Sequence, residues 1–513
     1  MRPPGVAQSD EGAPGPGEAR LLASGALVQQ IAQAGGLLVL LAIVTVLARR
    51  LSVAELGAYG LVASLAGYLL VLRNSVASSA VRAMAAAVEP GERVRMFSAA
   101  AALYAAVGLA TGLLIAAAAL AIAGLILDGG LARDARAGGL GLGAVTAVGI
   151  AATVYLDALR AERRFVLAAG MEIVAVTVQL AAMLTLIFAG ADLSVLIAAS
   201  GAIPLFSGLL CAAAVRRAGL PLTLAAGGVT RSRVMAIVPT AGWLLVIELC
   251  NLAMYASSRV ILGAYRSAAD VGRFEGPVRA HNLLYALGGA LAVPVVPTAS
   301  RYVATRDERR LRELVVRGTR YTLALFVPLC VTLMALAEPI LEVWLGERYG
   351  DGAAALTILV SYWLLYGGLV VAPGFLVGAG AARYAARIMV VVAVSNLALS
   401  LVLTPELGLE GPALATAIPF ALAFPAMLTL GLRVGGGVTL ADLARRAWLP
   451  AYSLGAALAA ALIALRLTAD PGTLPAVLAA AVGGVLAYWI AFYALVLDPD
   501  ERALVRGLVT RAR

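Results

Sequence analysis

The sequence predicts an all-α polytopic membrane protein. About 14 transmembrane helices are expected, in two pseudo-symmetric six-helix lobes plus a C-terminal helix pair. Three observations carry this. Apolar residues make up 62% of the 513-residue chain and charged ones 13%, with a mean hydropathy of +0.94. A soluble chain is about 25% charged and could not hide so much apolar surface. Stretches of the roughly 20 apolar residues needed to cross a bilayer recur along the whole length. A short motif repeats at one fixed offset, with six such stretches per unit.

The expected spans, in order, are 24–48, 56–80, 96–126, 138–159, 166–189, 193–214, 235–263, 275–299, 320–340, 353–378, 384–404, 411–432, 448–467 and 475–497. Residues 1–20 are rich in Pro, Gly and charge and read as a disordered cytoplasmic tail, with no secretory signal. The lobes are then 21–218 (helices 1–6) and 234–433 (helices 7–12). Helices 13 and 14 fill 447–497, and 498–513 is a second cytoplasmic tail. Only Gly190, Ala191 and Asp192 separate the fifth and sixth spans. The longest loop, about 299–320, carries seven arginines and reads as a surface helix touching anionic lipid headgroups.

Charge supports this topology. All 39 basic residues are arginine, and the net charge is +10. With both termini cytoplasmic, eight arginines fall in external loops: Arg49, Arg50, Arg133, Arg136, Arg266, Arg273, Arg348 and Arg466. Arg73, Arg259 and Arg279 fall within spans, and all the others lie on the cytoplasmic side. The arginines form no single basic domain, so no nucleic-acid partner is expected. Cys211, Cys250 and Cys330 lie in apolar stretches and His281 is the sole histidine. No metal or other cofactor is expected from so few ligands.

The repeat is short but consistent. Ser52-Val53-Ala54-Glu55-Leu56-Gly57-Ala58-Tyr59 and Ser267-Ala268-Ala269-Asp270-Val271-Gly272-Arg273-Phe274 share S-x-A-acid-x-G-x-aromatic, 215 residues apart. Ala202-Ile203-Pro204 and Ala417-Ile418-Pro419 stand at the same offset. An even number of spans per unit gives both lobes the same orientation, related by an axis along the membrane normal. Pro204, Pro239, Pro294, Pro297, Pro328, Pro373 and Pro419 interrupt spans, as is tolerated beside a cavity or a neighbouring helix.

These residues also carry a resemblance. LARRLSVAELGAYGLVASLAGYL, VGRFEGPVRAHNLL, VPVVPTASR, EPILEVWLGERYGDGA, PGFLVGAGAARYAARI and GLEGPALATAI occur in this order. The set resembles the polysaccharide-transporter branch, Wzx-like, of the multidrug/oligosaccharidyl-lipid/polysaccharide flippase superfamily, over about 21–432. The resemblance implies a flippase, not an enzyme, moving a polyprenyl-diphosphate-linked oligosaccharide from the inner to the outer leaflet of the bacterial cytoplasmic membrane. It implies membrane lipids, and a polysaccharide polymerase and glycosyltransferases, as partners. The family works without ATP hydrolysis, and a chain with no lysine has no Walker A motif.

A diphosphate substrate calls for fixed positive charge, and ionisable groups inside a bilayer are costly unless they serve a site. Arg73, Arg259 and Arg279 are the candidate diphosphate ligands; the alternative is snorkelling to headgroups. Glu248, aligned by the repeat with Gln33, is the candidate coupling-ion carrier or else a structural partner for an arginine. Glu248 and Arg259, eleven residues apart, share a helix face. Gln33 and Asn251 are further candidate substrate-binding residues, and Gln29 and Gln30 extend the polar patch of the first helix. Asp157, Arg160 and Glu172 are expected to pair with one another. His281 reads as an interface residue near the outer surface. Two other functions stand beside the flippase reading. A cation-coupled multidrug exporter would want an acid in 24–48, where there is none. A lipid II flippase is less close to the motifs.

Overall fold

A computed structural model describes residues 35–503 and 506, apart from 88, 221, 226, 239–241, 293–294, 370–375, 377–381, 436 and 470. Gln29, Gln30, Gln33, the 1–20 tail, Pro239, Pro294, Pro373 and most of 498–513 lie outside the described residues.

The described chain is built of helices and contains no strand. The first group begins with α1 (35–50) and α2 (Val53–Ala86). A capping box starts α2: the Ser52 hydroxyl accepts from the Glu55 N–H, and the Glu55 carboxylate accepts from the Ser52 N–H. Next come α3 (Pro90–Leu125), α4 (Gly129–Ala152) and α5 (Val154–Ala161), the last two forming one continuous span. Then follow α6 (Phe165–Phe188), α7 (Leu193–Ala199) and α8 (Ile203–Arg217). α7 and α8 are one expected span bent by 48°, with Pro204 just past the bend. A short α9 (Arg231–Ile237) links the two halves.

The second group holds α10 (Gly242–Tyr265), α11 (Ala268–Ala292), α12 (Val295–Ala304), α13 (Glu308–Ala335) and α14 (Ala337–Leu345). A 3-10 segment (Glu347–Gly352) leads into α15 (Ala353–Tyr366), followed by α16 (Ala382–Leu407) and α17 (Glu410–Val434). The terminal segment has α18 (Leu440–Leu443), a π-helical turn (Ala444–Trp448), α19 (Leu449–Ala469) and α20 (Leu474–Leu495).

Eleven described stretches are long and apolar enough to cross a membrane, or twelve if α7 and α8 count as one span. The protein is therefore a multi-pass membrane protein, but fewer spans qualify than the expected 14. Two expected spans do not qualify for identifiable reasons. α1 is described only from residue 35. α11 carries Asp270, Arg273, Glu275 and Arg279, which lower its hydropathy. The expected surface helix over 299–320 is also corrected. Arg306 adopts a positive φ of 53° and ends α12, and the charged residues from Glu308 onward form the first turns of the long α13.

The terminal helices pack on α13. Leu323 and Val327 meet Ala451, Leu458, Tyr488 and Phe492 in one apolar cluster, and the Trp489 indole donates to the Ala324 carbonyl at 2.9 Å. Glu501, beyond the last span, is locked to Arg320 and Tyr321. Burial alone would raise the Glu501 pKa. The Tyr321 hydroxyl, the Asp498 N–H and the charges of Arg320 and Arg317 outweigh that and hold it below the ordinary glutamate range.

α3 and α4 pack through small residues. A Cβ added at Gly112 would stand 2.5 Å from the Gly143 carbonyl oxygen, and one at Gly143 would stand 2.5 Å from that of Gly112. Such reciprocal approach is how helices associate in lipid, where no hydrophobic drive acts between them. Gly143→Leu should therefore cost about 1–3 kcal/mol and lower the melting temperature in detergent. Gly124→Ala, placed where nothing lies within 4 Å, should leave the melting temperature unchanged or slightly raised. Equal melting of both variants would show that this contact does not hold the helices.

Candidate functional site: an interlobe seam and its buried charges

The two groups meet where α2 packs against α10 and α11. The crossing of α2 and α11 is built from the repeat itself. A Cβ on Gly57 would collide with the carbonyl oxygen of Ala268, and a Cβ on Gly272 would collide with that of Val53. Gly57 and Gly272 are 215 residues apart, and so are Val53 and Ala268. The contact is therefore two-fold symmetric: each repeat's glycine receives the other repeat's backbone. The acidic residue of each motif serves its own helix start, since the Ser267 hydroxyl accepts from the Asp270 N–H as Ser52 does from Glu55.

A second clasp holds the same end. α14 and the 3-10 segment reach the C-terminus of α1, whose last carbonyls lack helical partners. Arg348 donates to the carbonyls of Ala48 at 2.6 Å and Leu51 at 2.8 Å. The Trp344 indole donates to the Thr45 hydroxyl at 2.6 Å, and Arg49 donates back to the Val343 carbonyl at 2.7 Å. A cation at a helix C-terminus also opposes the helix dipole. One apolar cluster runs through this end, from Leu47 and Leu56 to Val271, Phe274, Leu341 and Tyr349.

Inside the seam lies a buried charge triad. Glu275 accepts from the Arg259 Nε at 2.6 Å through one carboxylate oxygen and from the Arg279 Nε at 3.1 Å through the other. Arg259 and Glu275 are each 1% exposed. A Cβ on Gly60 would strike the Glu275 carboxylate, so the triad fits only because α2 has a glycine there. Gly60 is the repeat counterpart of Glu275, and Val44 and Ser64 are those of Arg259 and Arg279. The triad therefore breaks the two-fold symmetry.

Arg73 lies elsewhere, inside the first group. It donates to Asp157 at 2.6 Å and to the Thr153 hydroxyl at 3.2 Å. Asp157, fully buried, also accepts from the Tyr104 hydroxyl at 2.5 Å and from Arg160 at 3.0 Å. Arg160 continues to Glu172 at 2.9 Å. The expected Asp157–Arg160–Glu172 pairing is present, and Arg73 is joined to it.

Of the remaining candidates, Gln33 lies outside the described residues. Glu248 is exposed beside Asn251, which donates to the Tyr285 hydroxyl at 3.0 Å. Glu248 and Arg259, although on one helix, sit in different surroundings: Glu248 is exposed and Arg259 is buried in the seam. A Cβ on Gly67 of α2 or Gly289 of α11 would meet nothing within 4 Å, in contrast to Gly57 and Gly272 nearer the helix starts. The apolar cluster continues along both helices, with Leu65 and Leu69 of α2 and Leu284, Leu287 and Leu291 of α11. His281 is 1% exposed, not at a surface; its ring contacts the Tyr362 hydroxyl at 2.5 Å within a cluster that includes Tyr255 and Trp363. Among the described residues no group of His, Cys, Asp and Glu could hold a metal ion.

Sequence reasoning passed over Glu275. Two signals marked it: an arginine four residues on, and alignment of the glutamate with a glycine across the repeat. Removing one member of a buried ion set costs about 3–5 kcal/mol, because a charge is left uncompensated. Glu275→Ala should lower thermal stability in detergent by that order. The triple variant Arg259→Met, Glu275→Leu, Arg279→Met should recover most of the loss, since packed apolar side chains can replace a buried ion set. A Glu275→Ala protein as stable as wild type would show that the carboxylate does not neutralise the two arginines.

The chain resembles known proteins at three levels. Residues 46–354 match the family described as polysaccharide biosynthesis protein, and residues 283–469 match that of the lipid II flippase MurJ. A curated relative, the probable low-salt glycan biosynthesis flippase Agl15 of Haloferax volcanii, is 23% identical over 162 residues, 32% of this chain and 34% of the relative. The match thus spans about a third of that relative's length. A solved structure of lipid II flippase MurJ in an inward closed conformation is similar with a TM-score of 0.68 at 16% identity, over 91% of this chain and 99% of the other. A multidrug resistance MATE family transporter of the MOP superfamily, in an inward-facing conformation, reaches 0.66 at 16% identity over 80% and 98%. At such identities the structural likeness concerns the fold. These relatives are named as flippases and transporters, not as enzymes. The family match extends over more than half of the 513 residues, so the chain belongs to the polysaccharide biosynthesis protein family and has the fold of MOP-superfamily transporters.

Proposed function

We propose that this protein is a flippase carrying a polyprenyl-diphosphate-linked oligosaccharide from the inner to the outer leaflet of the bacterial cytoplasmic membrane, for polysaccharide biosynthesis, by alternating access between its two lobes. The observation that carries the proposal is the two-fold seam with its buried arginines. The repeat motifs that open α2 and α11 meet through backbone contact at Gly57 and Gly272, and the proposal takes 21–218 and 234–433 as the two lobes that move about this contact. With both termini cytoplasmic, the seam would face outward, and a path between the lobes would open to the leaflet in which glycosyltransferases complete the substrate. Opening the seam would release product towards a polymerase.

The charges fit this cycle. In the closed state Glu275 compensates Arg259 and Arg279. When the seam opens and Gly60 withdraws, the diphosphate oxygens can take the place of the carboxylate, and guanidinium groups bind such oxygens in bidentate fashion. The arginines then have an anionic partner in both states. Asn251 and Gln33 would hydrogen-bond sugar hydroxyls, and Glu248 would carry the coupling ion, while Arg73, paired with Asp157 inside the first lobe, would hold that lobe together as it moves. A second reading takes lipid II as the substrate. The match of residues 283–469 to the lipid II flippase family favours it.

The test is a strain lacking the protein, in which impermeant oxidation separates the inner- and outer-leaflet pools of polyprenyl-diphosphate glycans. The completed oligosaccharide lipid should accumulate in the inner leaflet and be released by the wild-type gene. Accumulation of lipid II alone would establish the second reading, and unchanged pools of both would overturn the flippase proposal. Glu248→Gln, at an exposed position, should lower transport about tenfold or more with no loss of melting temperature. Full transport by that variant would remove Glu248 from the coupling role.

A further inference from the structure

The strongest unassigned feature lies away from the seam, where the start of α13 meets the π-helical turn and the end of α20. A cavity of about 590 Å³ opens there. Arg309, Arg312, Arg317 and Arg320 line it from α13, and Arg445 and Arg446 from the π-helical turn. Only Glu313 and Asp498 among the lining residues are acidic. Glu501 offsets part of the charge, holding Arg320 and standing 3.8 Å from Arg317. Arg312 spends its hydrogen bond on the Gly437 carbonyl, which neutralises nothing. Arg445 and Arg446 are exposed and make no ion pair among the described residues; the nearby Asp442 caps its own helix. The Nε of Arg320, a residue 7% exposed, has no hydrogen-bond partner there.

Six guanidinium groups around one cavity repel one another, and the repulsion is relieved when an anion enters. The walls are apolar: Val316, Pro450, Leu495 and Val496. Leu495 is the last residue of a candidate span and is 74% exposed. Tyr321 and Trp489, both well exposed, lie on neighbouring turns, as aromatic residues do at the membrane–water boundary. The cavity therefore lies at headgroup depth, with charge at one side and apolar surface running into the bilayer.

We propose that this cavity is a binding site for the phosphate of an anionic phospholipid, which ties the C-terminal helix pair to α13. The shared chemistry is a phosphate oxygen against guanidinium forks. A soluble phosphate compound could supply the same oxygen, but would leave the apolar wall uncovered. The site does not depend on what the protein transports.

The full-length protein in detergent, titrated with phosphatidylglycerol, phosphatidylcholine or inorganic phosphate, tests this. Melting temperature and lipid retained in native mass spectrometry are the readouts. Phosphatidylglycerol should stay bound and raise the melting temperature, while phosphatidylcholine and inorganic phosphate should not. Arg445→Gln with Arg446→Gln should weaken the phosphatidylglycerol effect at least about tenfold, with unchanged melting in its absence. Arg317→Gln serves as a second variant should the double variant fail to fold. An equal response to inorganic phosphate would overturn the lipid assignment in favour of a soluble compound. Equal lipid response of wild type and variants would overturn the site.

Discussion

The backbone contact between Gly57 and Gly272 is what the rest of the molecule is arranged around. Neither position tolerates a Cβ, because the carbonyl of the opposite repeat occupies that space. Between helices in lipid, close backbone approach replaces the hydrophobic effect as the source of association. The crossing sits within an apolar cluster that both groups share, from Leu47 and Leu56 to Val271, Phe274 and Leu341. The clasp of Arg348 and Trp344 on the end of α1 is made of hydrogen bonds to groups that water or headgroups could satisfy.

The buried charges give the two lobes different chemistry within one architecture. The second lobe places two arginines and one glutamate in the seam, where the first has Val44, Gly60 and Ser64. The first lobe instead buries Arg73, Asp157, Arg160 and Glu172 in its own interior, with the Tyr104 hydroxyl and Thr153 completing the hydrogen bonds. Desolvating these groups is expensive, and pairing repays it only with near-ideal geometry. In the seam the carboxylate is shared by two guanidinium groups, which leaves an excess of positive charge beside a contact that can part. In the first lobe, with two arginines against Asp157 and Glu172, the charges balance, and the network ties α2 to α5 and α6.

Much of the fold was legible in the linear pattern, because crossing a bilayer imposes a local requirement: length, apolarity and flanking charge are all read within one segment. The cases that differed have local causes too. α11 falls short as a span because its seam charges sit within the helix, and the charged stretch before α13 joins that helix because Arg306 turns the chain just ahead of it. The repeat offset of 215 was also visible, but that the two motifs meet at one crossing was shown by the structure.

Sequence alone determined that the chain is helical, membrane-spanning and internally repeated, since hydropathy and self-similarity are properties of the string. Beyond the expected Asp157–Arg160–Glu172 set, only the tertiary structure decided which charges meet. Arg73 and Asp157 are 84 residues apart, Arg259 and Glu275 lie on successive helices, and Arg312 and Arg445 are 133 residues apart. A salt bridge depends on distances of a few ångströms, and no spacing rule along the chain predicts those across separate helices. It was the packing of α2 on α11 that turned Glu275 from one acid among 29 into the partner of two intramembrane arginines.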